Sequence, residues 1–330
     1  MDNAVFPLDI FTEIVDQLAT LDQPPTHSRL RQCSLVCKAF LPLAQKHICQ
    51  KIMINLIPNV FPKHLQNLTE TLQHRPAIAS YVKTFSLYTR VRHDSPDSEE
   101  MLNDPSFLIL LQLPNIQTLK ISAVSRISYS RCSTTTWGPR LLIDHYLRRD
   151  CLLNVKIGGI DDLPIHLILS PPQLTNLTIN SASFAAPDQD LDLLLNKRPH
   201  SLIKSLKLYG VKNVPRSSFA HLFSHAEELI VAAVSFAHHS YDTTFQSTDA
   251  LIFKNLHTLH SYSEFDWSTL LANKPSLRAF PALKTLDLRI MSTESSQNGI
   301  VLVDNTTCLE KVDVLQGAGS LLWKWPFFLT

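Results

Sequence analysis

The side chains that could do chemistry in this 330-residue chain fall into a few groups. Cys33, Cys37, His47 and Cys49 carry zinc-binding atoms and lie close together. Their C-x3-C spacing, followed by residues in helical sequence, is not the spacing of a zinc finger. Cys33 and Cys37 sit one helical turn apart and read as packing groups on an apolar face. His238 and His239, with Asp242, lie in a Ser/His/Tyr stretch that reads as a solvated loop. Asp161 and Asp162 follow Gly158 and Gly159 and read as a turn, not as a carboxylate pair set for acid–base work. No G-x-S-x-G, H-E-x-x-H, G-x-G-x-x-G or phosphate-loop motif occurs. No catalytic residue, metal ligand or cofactor is therefore assigned.

Composition narrows the partners. The chain has 52 Leu but only 7 Gly, with 45% apolar and 18% charged residues. It is a core-forming chain, and the scarcity of Gly argues against backbone loops that cradle phosphates. A net charge of +1 gives no electrostatic reason to expect nucleic acid or an anionic membrane as partner. The N-terminal residues lack a basic segment followed by an apolar run, which points away from a secretory signal. Six Cys in a chain of this length do not make a disulfide framework, so reduced thiols in the cytoplasm or nucleus are expected.

The elements that position these residues start with helices. Pro7 suits a first helical position, and Asp9 and Glu13 place negative charge in the opening turns. Ile10, Ile14 and Leu18 recur every four residues, which predicts one broad apolar face. Pro24 and Pro25 interrupt it. Thr26 or Ser28 is expected to cap a second helix with a stripe of Leu30, Cys33, Val36, Cys37 and Phe40. Pro42 ends that helix or starts a third carrying Leu43, Ala44, His47 and Ile48.

The run Phe6-Pro7-Leu8-Asp9-Ile10, with Ile14, Leu18 and the segment Cys33-Ser34-Leu35-Val36-Cys37-Lys38-Ala39-Phe40, resembles an F-box. Phe6 stands where the family pattern has Leu, and His47-Ile48 where it has Leu-Trp. The resemblance covers about 50 residues, within an expected helical domain of residues 1–55. It implies a three-helix module that docks on a Skp-type adaptor and, through it, a cullin. On the matching positions the docking residues would be Pro7, Leu8, Ile10, Ile14, Leu18, Leu35, Val36, Cys37 and Phe40.

Over 56–330 a short pattern recurs: apolar-x-x-apolar-x-apolar. Its fourth position falls on Phe85, Leu119, Val155, Leu177, Leu206, Leu229, Leu259, Leu286 and Val312, at separations of 22 to 36 residues. The last three positions alternate with the period of a strand. Between copies come stretches of helical spacing, in the segment 58–75 and at 190–198, 217–223 and 267–274, several ending in a basic residue and then Pro. The expected fold is α/β: a small three-helix domain, then an irregular array of parallel strands and helices. This second region resembles the leucine-rich-repeat-like half of some F-box proteins. Polar stretches at 89–105 and 122–139 read as insertions. The apolar segment 321–329 reads as a fold-back cap, as a partner patch, or as a sign of a longer natural chain.

The resemblance implies a substrate-recognition subunit of a cullin ubiquitin ligase. The alternative is a non-catalytic scaffold whose F-box recruits no cullin. In either case the residues pointing outward between inward apolar sites would hold an unknown target protein. Those are Lys120, Lys156, Thr178, Lys207, Asp287 and Asp313, with Tyr88, Tyr209, Tyr262 and Arg289 just beyond.

Overall fold

The recurring apolar positions converge in one sheet. The computed structural model describes residues 8–21, 27–57, 61–90, 105, 107–130, 138–185, 202–215, 225–236, 252–262, 265, 267, 279–290, 302 and 306–316. In chain order these form α1 (Leu8–Leu21), α2 (Ser28–Val36), α3 (Phe40–Ile48), β1 (Lys51–Leu56), α4 (Phe61–His74), α5 (Ala77–Tyr81) and β2 (Thr84–Thr89). There follow α6 (Phe107–Leu110), β3 (Thr118–Ser128), α7 (Gly138–Tyr146), β4 (Asn154–Asp161) and α8 (Ile165–Ile168). The remaining strands are β5 (Asn176–Asn180), β6 (Ser205–Tyr209), β7 (Glu228–Ala232), β8 (Thr258–Tyr262), β9 (Thr285–Ile290) and β10 (Lys311–Gln316).

The ten strands form one parallel sheet in which spatial order follows chain order, β1 to β10. All nine anchor positions read from the sequence are register partners along one row, from Phe85 through Leu119, Val155, Leu177, Leu206, Leu229, Leu259 and Leu286 to Val312. Ile52 on β1 extends that row by one strand. From Phe85 to Leu286 every anchor is at most 2% exposed. The residue two further on is equally buried on most strands, as at Leu87, Ile121, Ile157, Ile179, Leu208 and Val231. Alternation along each strand therefore puts one apolar face into the core and leaves the other largely polar.

Spacing between strands varies, but the entry to each strand does not. The carbonyl of the residue before a strand accepts two N–H bonds from the entry of the next strand. Lys83 O accepts from Gln117 and Thr118 at 2.8 and 3.0 Å, and Lys204 O from Glu227 and Glu228 at 2.8 and 3.0 Å. The same pair of bonds recurs from Gln50 to Lys284. The strand exit repeats as well. Gly159, Ser181, Gly210 and Ala233 take φ of 68, 49, 60 and 50°. The last three each directly follow a strand, and Gly159 follows Gly158, the register partner of Asn180. A left-handed residue there turns the chain off the shared register without an Asn-based turn.

The inward row has one polar member. Ser261 stands where the other strands carry an aliphatic residue, and its Oγ accepts the indole N–H of the fully buried Trp267 at 3.0 Å. That bond satisfies a donor that burial would otherwise leave unpaired.

Several sequence expectations need correction. The sheet begins at Lys51, so β1 crosses the boundary expected between 55 and 56. β1 starts three residues after α3 ends, with no Gly or Pro to announce it. Asp161 ends β4, and Gly158 and Gly159 lie within that strand; of the two carboxylates only Asp162 turns, with φ of 58°. The stretch 122–128 continues β3, past an irregularity between Ser122 and Ile127, and is not an insertion. His27, not Thr26 or Ser28, occupies the N-cap of α2, and its side chain makes no capping bond. α4 ends before Pro76, as the basic-then-Pro pattern predicts. The helices expected at 190–198 and 217–223, nearly all of that at 267–274, His238, His239 and the segment 321–329 lie outside the described residues.

Candidate functional site

Two surfaces carry the residues singled out from the sequence. The first is the N-terminal trio of helices. Val15, Leu30 and Ala44 are fully buried and hold α1, α2 and α3 together. Phe40 is half-buried, its ring 4.8 Å from that of Phe11. His47 Nε2 lies 2.7 Å from Asp16 Oδ1, which ties α3 to α1. α3 also packs on α5, so the helices abut the part of the chain that bears the sheet.

Around this small core the apolar residues stay outside. Leu35 is 84% and Val36 72% exposed at the C-terminal end of α2. Ile10 and Ile14 on α1 are 42% and 43% exposed, Cys37 is exposed, and Leu18 is half-buried. Helical spacing alone puts Val36 and Cys37 on the packing stripe of α2. They fall off it because the helix ends at Val36 and Cys37 is extended, with φ of −156°. Pro7 and the side chain of Leu8 lie outside the described residues.

The second surface is the polar face of the sheet. Register places three outward rows across it. The first runs from Lys51 and Thr84 through Ser205 and Glu228 to Thr285 and Lys311. The middle row holds Met53, Ser86, Lys120, Lys156, Thr178, Lys207, Ile230, His260, Asp287 and Asp313. The third holds Tyr88, Ser122, Gly158, Asn180, Tyr209, Ala232, Tyr262 and Arg289. All ten outward residues named from the sequence therefore share this face. Ile230, His260 and Glu228 were missed, although Ile230 and His260 sit one residue after the anchors Leu229 and Leu259, the offset that marks Lys120 and Lys207.

The charges on this face are unevenly paired. Glu228 accepts Ser205 Oγ–H at 2.6 Å and a bond from Lys207 Nζ at 2.9 Å. Partial burial raises the pKa of that carboxyl, but the bonds from Ser205 and Lys207 outweigh it, and the net shift is downward. Asp287 Oδ2 lies 3.0 Å from His260 Nδ1 and accepts Tyr262 Oη–H at 3.1 Å. Burial, and then the bond to Asp287, push the Tyr262 hydroxyl upward in pKa. The Arg289 guanidinium stands 5.5 Å from the centre of the Tyr262 ring. Asp313 pairs with Lys311 at 2.6 Å. Among the described residues, Lys120 and Lys156, adjacent in register, have no carboxylate partner.

Among the described residues no group of three His, Cys, Asp or Glu side chains is placed to hold a metal ion. Among them no helix is long and apolar enough to cross a membrane. Cys33 and Cys49 are half-buried, and burial raises both thiols in pKa, which disfavours the thiolate. Comparison with protein-family models and with curated protein sequences finds no match.

Proposed function

We propose that this chain is a substrate-recognition subunit of a cullin-type ubiquitin ligase. On this reading the N-terminal helices are an F-box that docks on a Skp-type adaptor. The parallel array is a leucine-rich-repeat-like solenoid whose polar face holds a target protein. The observation that carries the reading is the exposure of Leu35 and Val36, at 84% and 72%, on helices whose own core is already closed. Apolar side chains left in water at a helix end are costly unless a partner covers them. They also fall within the segment that carries the strongest F-box resemblance, Cys33 to Phe40.

The chain performs no bond-making step in this scheme. It raises the effective concentration of a target beside the ubiquitin-loaded conjugating enzyme. A pulldown of purified chain with a Skp-type adaptor tests it. The wild type is expected to retain the adaptor, and Ile14→Asp with Val36→Asp to lose it. Failure of the wild type to bind would end the proposal. Adaptor binding without cullin co-elution would leave a scaffold instead.

A further inference from the structure

The polar face of the sheet is not uniform, and its two unusual places lie a fixed distance apart. The first is Lys120 and Lys156, neighbours on β3 and β4 without a carboxylate among the described residues. Lys207, two strands beyond, is neutralised by Glu228 at 2.9 Å. Ser86, beside Lys120 in the same row, is fully buried with its hydroxyl unpaired among the described residues. Thr178 and Asn180 on β5 and Ser122 on β3 add polar groups beside them. Two adjacent ammonium groups repel each other, and an anion placed over them removes that cost.

The second place is apolar. Ile230 and Ala232 on β7 are only half-buried, in rows that are otherwise largely polar. Tyr209 on β6 and Tyr262 on β8 flank Ala232 in register. Tyr262 donates to Asp287 on β9, and the Arg289 guanidinium stands 5.5 Å from its ring centre. Two half-buried apolar residues thus stand next to tyrosines on the neighbouring strands, a composition in which binding energy concentrates.

We infer that this face takes an extended protein segment carrying an acidic pair and, about four to six residues away, a large apolar side chain. The acidic pair lies over Lys120 and Lys156, and the apolar residue sits on Ile230 and Ala232 between Tyr209 and Tyr262. The spacing follows from strand geometry. Three to four strand steps of about 4.8 Å separate the places, roughly 14–19 Å, which an extended chain spans at about 3.3–3.6 Å per residue. The inference rests on the proposed role of this face as the target-binding surface.

The test uses the full chain and a fluorescein-labelled peptide with Glu-Glu, a four-residue Ser/Gly spacer and Leu, read by anisotropy at low ionic strength. Lys120→Glu with Lys156→Glu is expected to weaken binding about tenfold or more, since each reversed charge changes attraction into repulsion. Leu→Ser in the peptide, or Tyr209→Ala in the protein, is expected to weaken it about fivefold or more. Cutting the spacer to one residue should do the same as removing Leu. No binding by the wild type, unchanged affinity in the Lys variant, or indifference to spacer length would overturn the inference. So would binding of a single-stranded oligonucleotide in place of the peptide. The wild type and both protein variants should bind the Skp-type adaptor equally, which separates failure of this inference from failure of the ligase reading.

Discussion

Three strand exits and one position inside β4 share a left-handed residue, and glycine at two of the four allows a graded prediction. At Gly159 φ is 68°, and a Cβ would lie 2.0 Å from the Ala123 carbonyl oxygen and 2.9 Å from its carbon. At Gly210 φ is 60°, but the nearest atoms to a Cβ are 3.7 Å away. Gly210→Ala thus meets only the conformational penalty, about 1–2 kcal/mol, partly offset by a less flexible unfolded chain. Gly159→Ala adds a backbone clash that β3 must move to relieve, about 1–3 kcal/mol more. At Ala233 the penalty is already present, with φ of 50°. Ala233→Gly is therefore expected to stabilise by up to about 1 kcal/mol, the residual after glycine's added unfolded-state entropy. Urea unfolding of the full chain, followed by far-UV circular dichroism, reads all three. The expected order of midpoints is Ala233→Gly above wild type, then Gly210→Ala, then Gly159→Ala lowest. A Gly210→Ala chain as stable as wild type, or a Gly159→Ala chain no worse than it, would refute the shared-turn argument.

Other outcomes follow from the same structure. Leu206→Ala, at a fully buried anchor, is expected to cost about 2–5 kcal/mol, whereas Thr178→Ala on the outer face stays within about 0.5 kcal/mol; paired urea curves check the contrast. Ser261→Ala leaves the buried Trp267 N–H unpaired and is expected to cost about 1–3 kcal/mol in the same assay. The Glu228 carboxyl titrates below its ordinary range, so its contribution to stability is present above the unfolded pKa and is lost as pH falls through the folded one. Glu228→Gln should flatten the stability profile in that acid window, and an unchanged profile would remove the role of Ser205 and Lys207.

The array was legible because its inward positions obey a strict rule. A site buried against the return segments must be apolar, and parallel pairing fixes the same offsets on every strand, so nine anchors could be read without any knowledge of the loops. β1 escaped because its leading apolar site, Cys49, doubles as the end of α3. The turns after β5 and β7 escaped because Ser181 and Ala233 adopt φ that their residue types do not advertise. The outward residues were legible as a face, since strand alternation alone selects them. Which of them pair was not, because Glu228 meets Lys207 and His260 meets Asp287 only through strands far apart in the chain. The exposure of Val36 and Cys37 depended on where α2 stops, a point that helical spacing does not fix.

The central claim is that Leu35 and Val36 are exposed for an adaptor to cover. Calorimetric titration of a Skp-type adaptor into the full chain, beside Leu35→Asp with Val36→Asp, measures it directly. The account predicts tight binding by the wild type and none by the variant, whose stability falls only by the cost of two carboxylates at a helix C-terminus, about 0.3–1 kcal/mol each, because both side chains already face water. Equal binding by the two proteins, or none by the wild type, would contradict it.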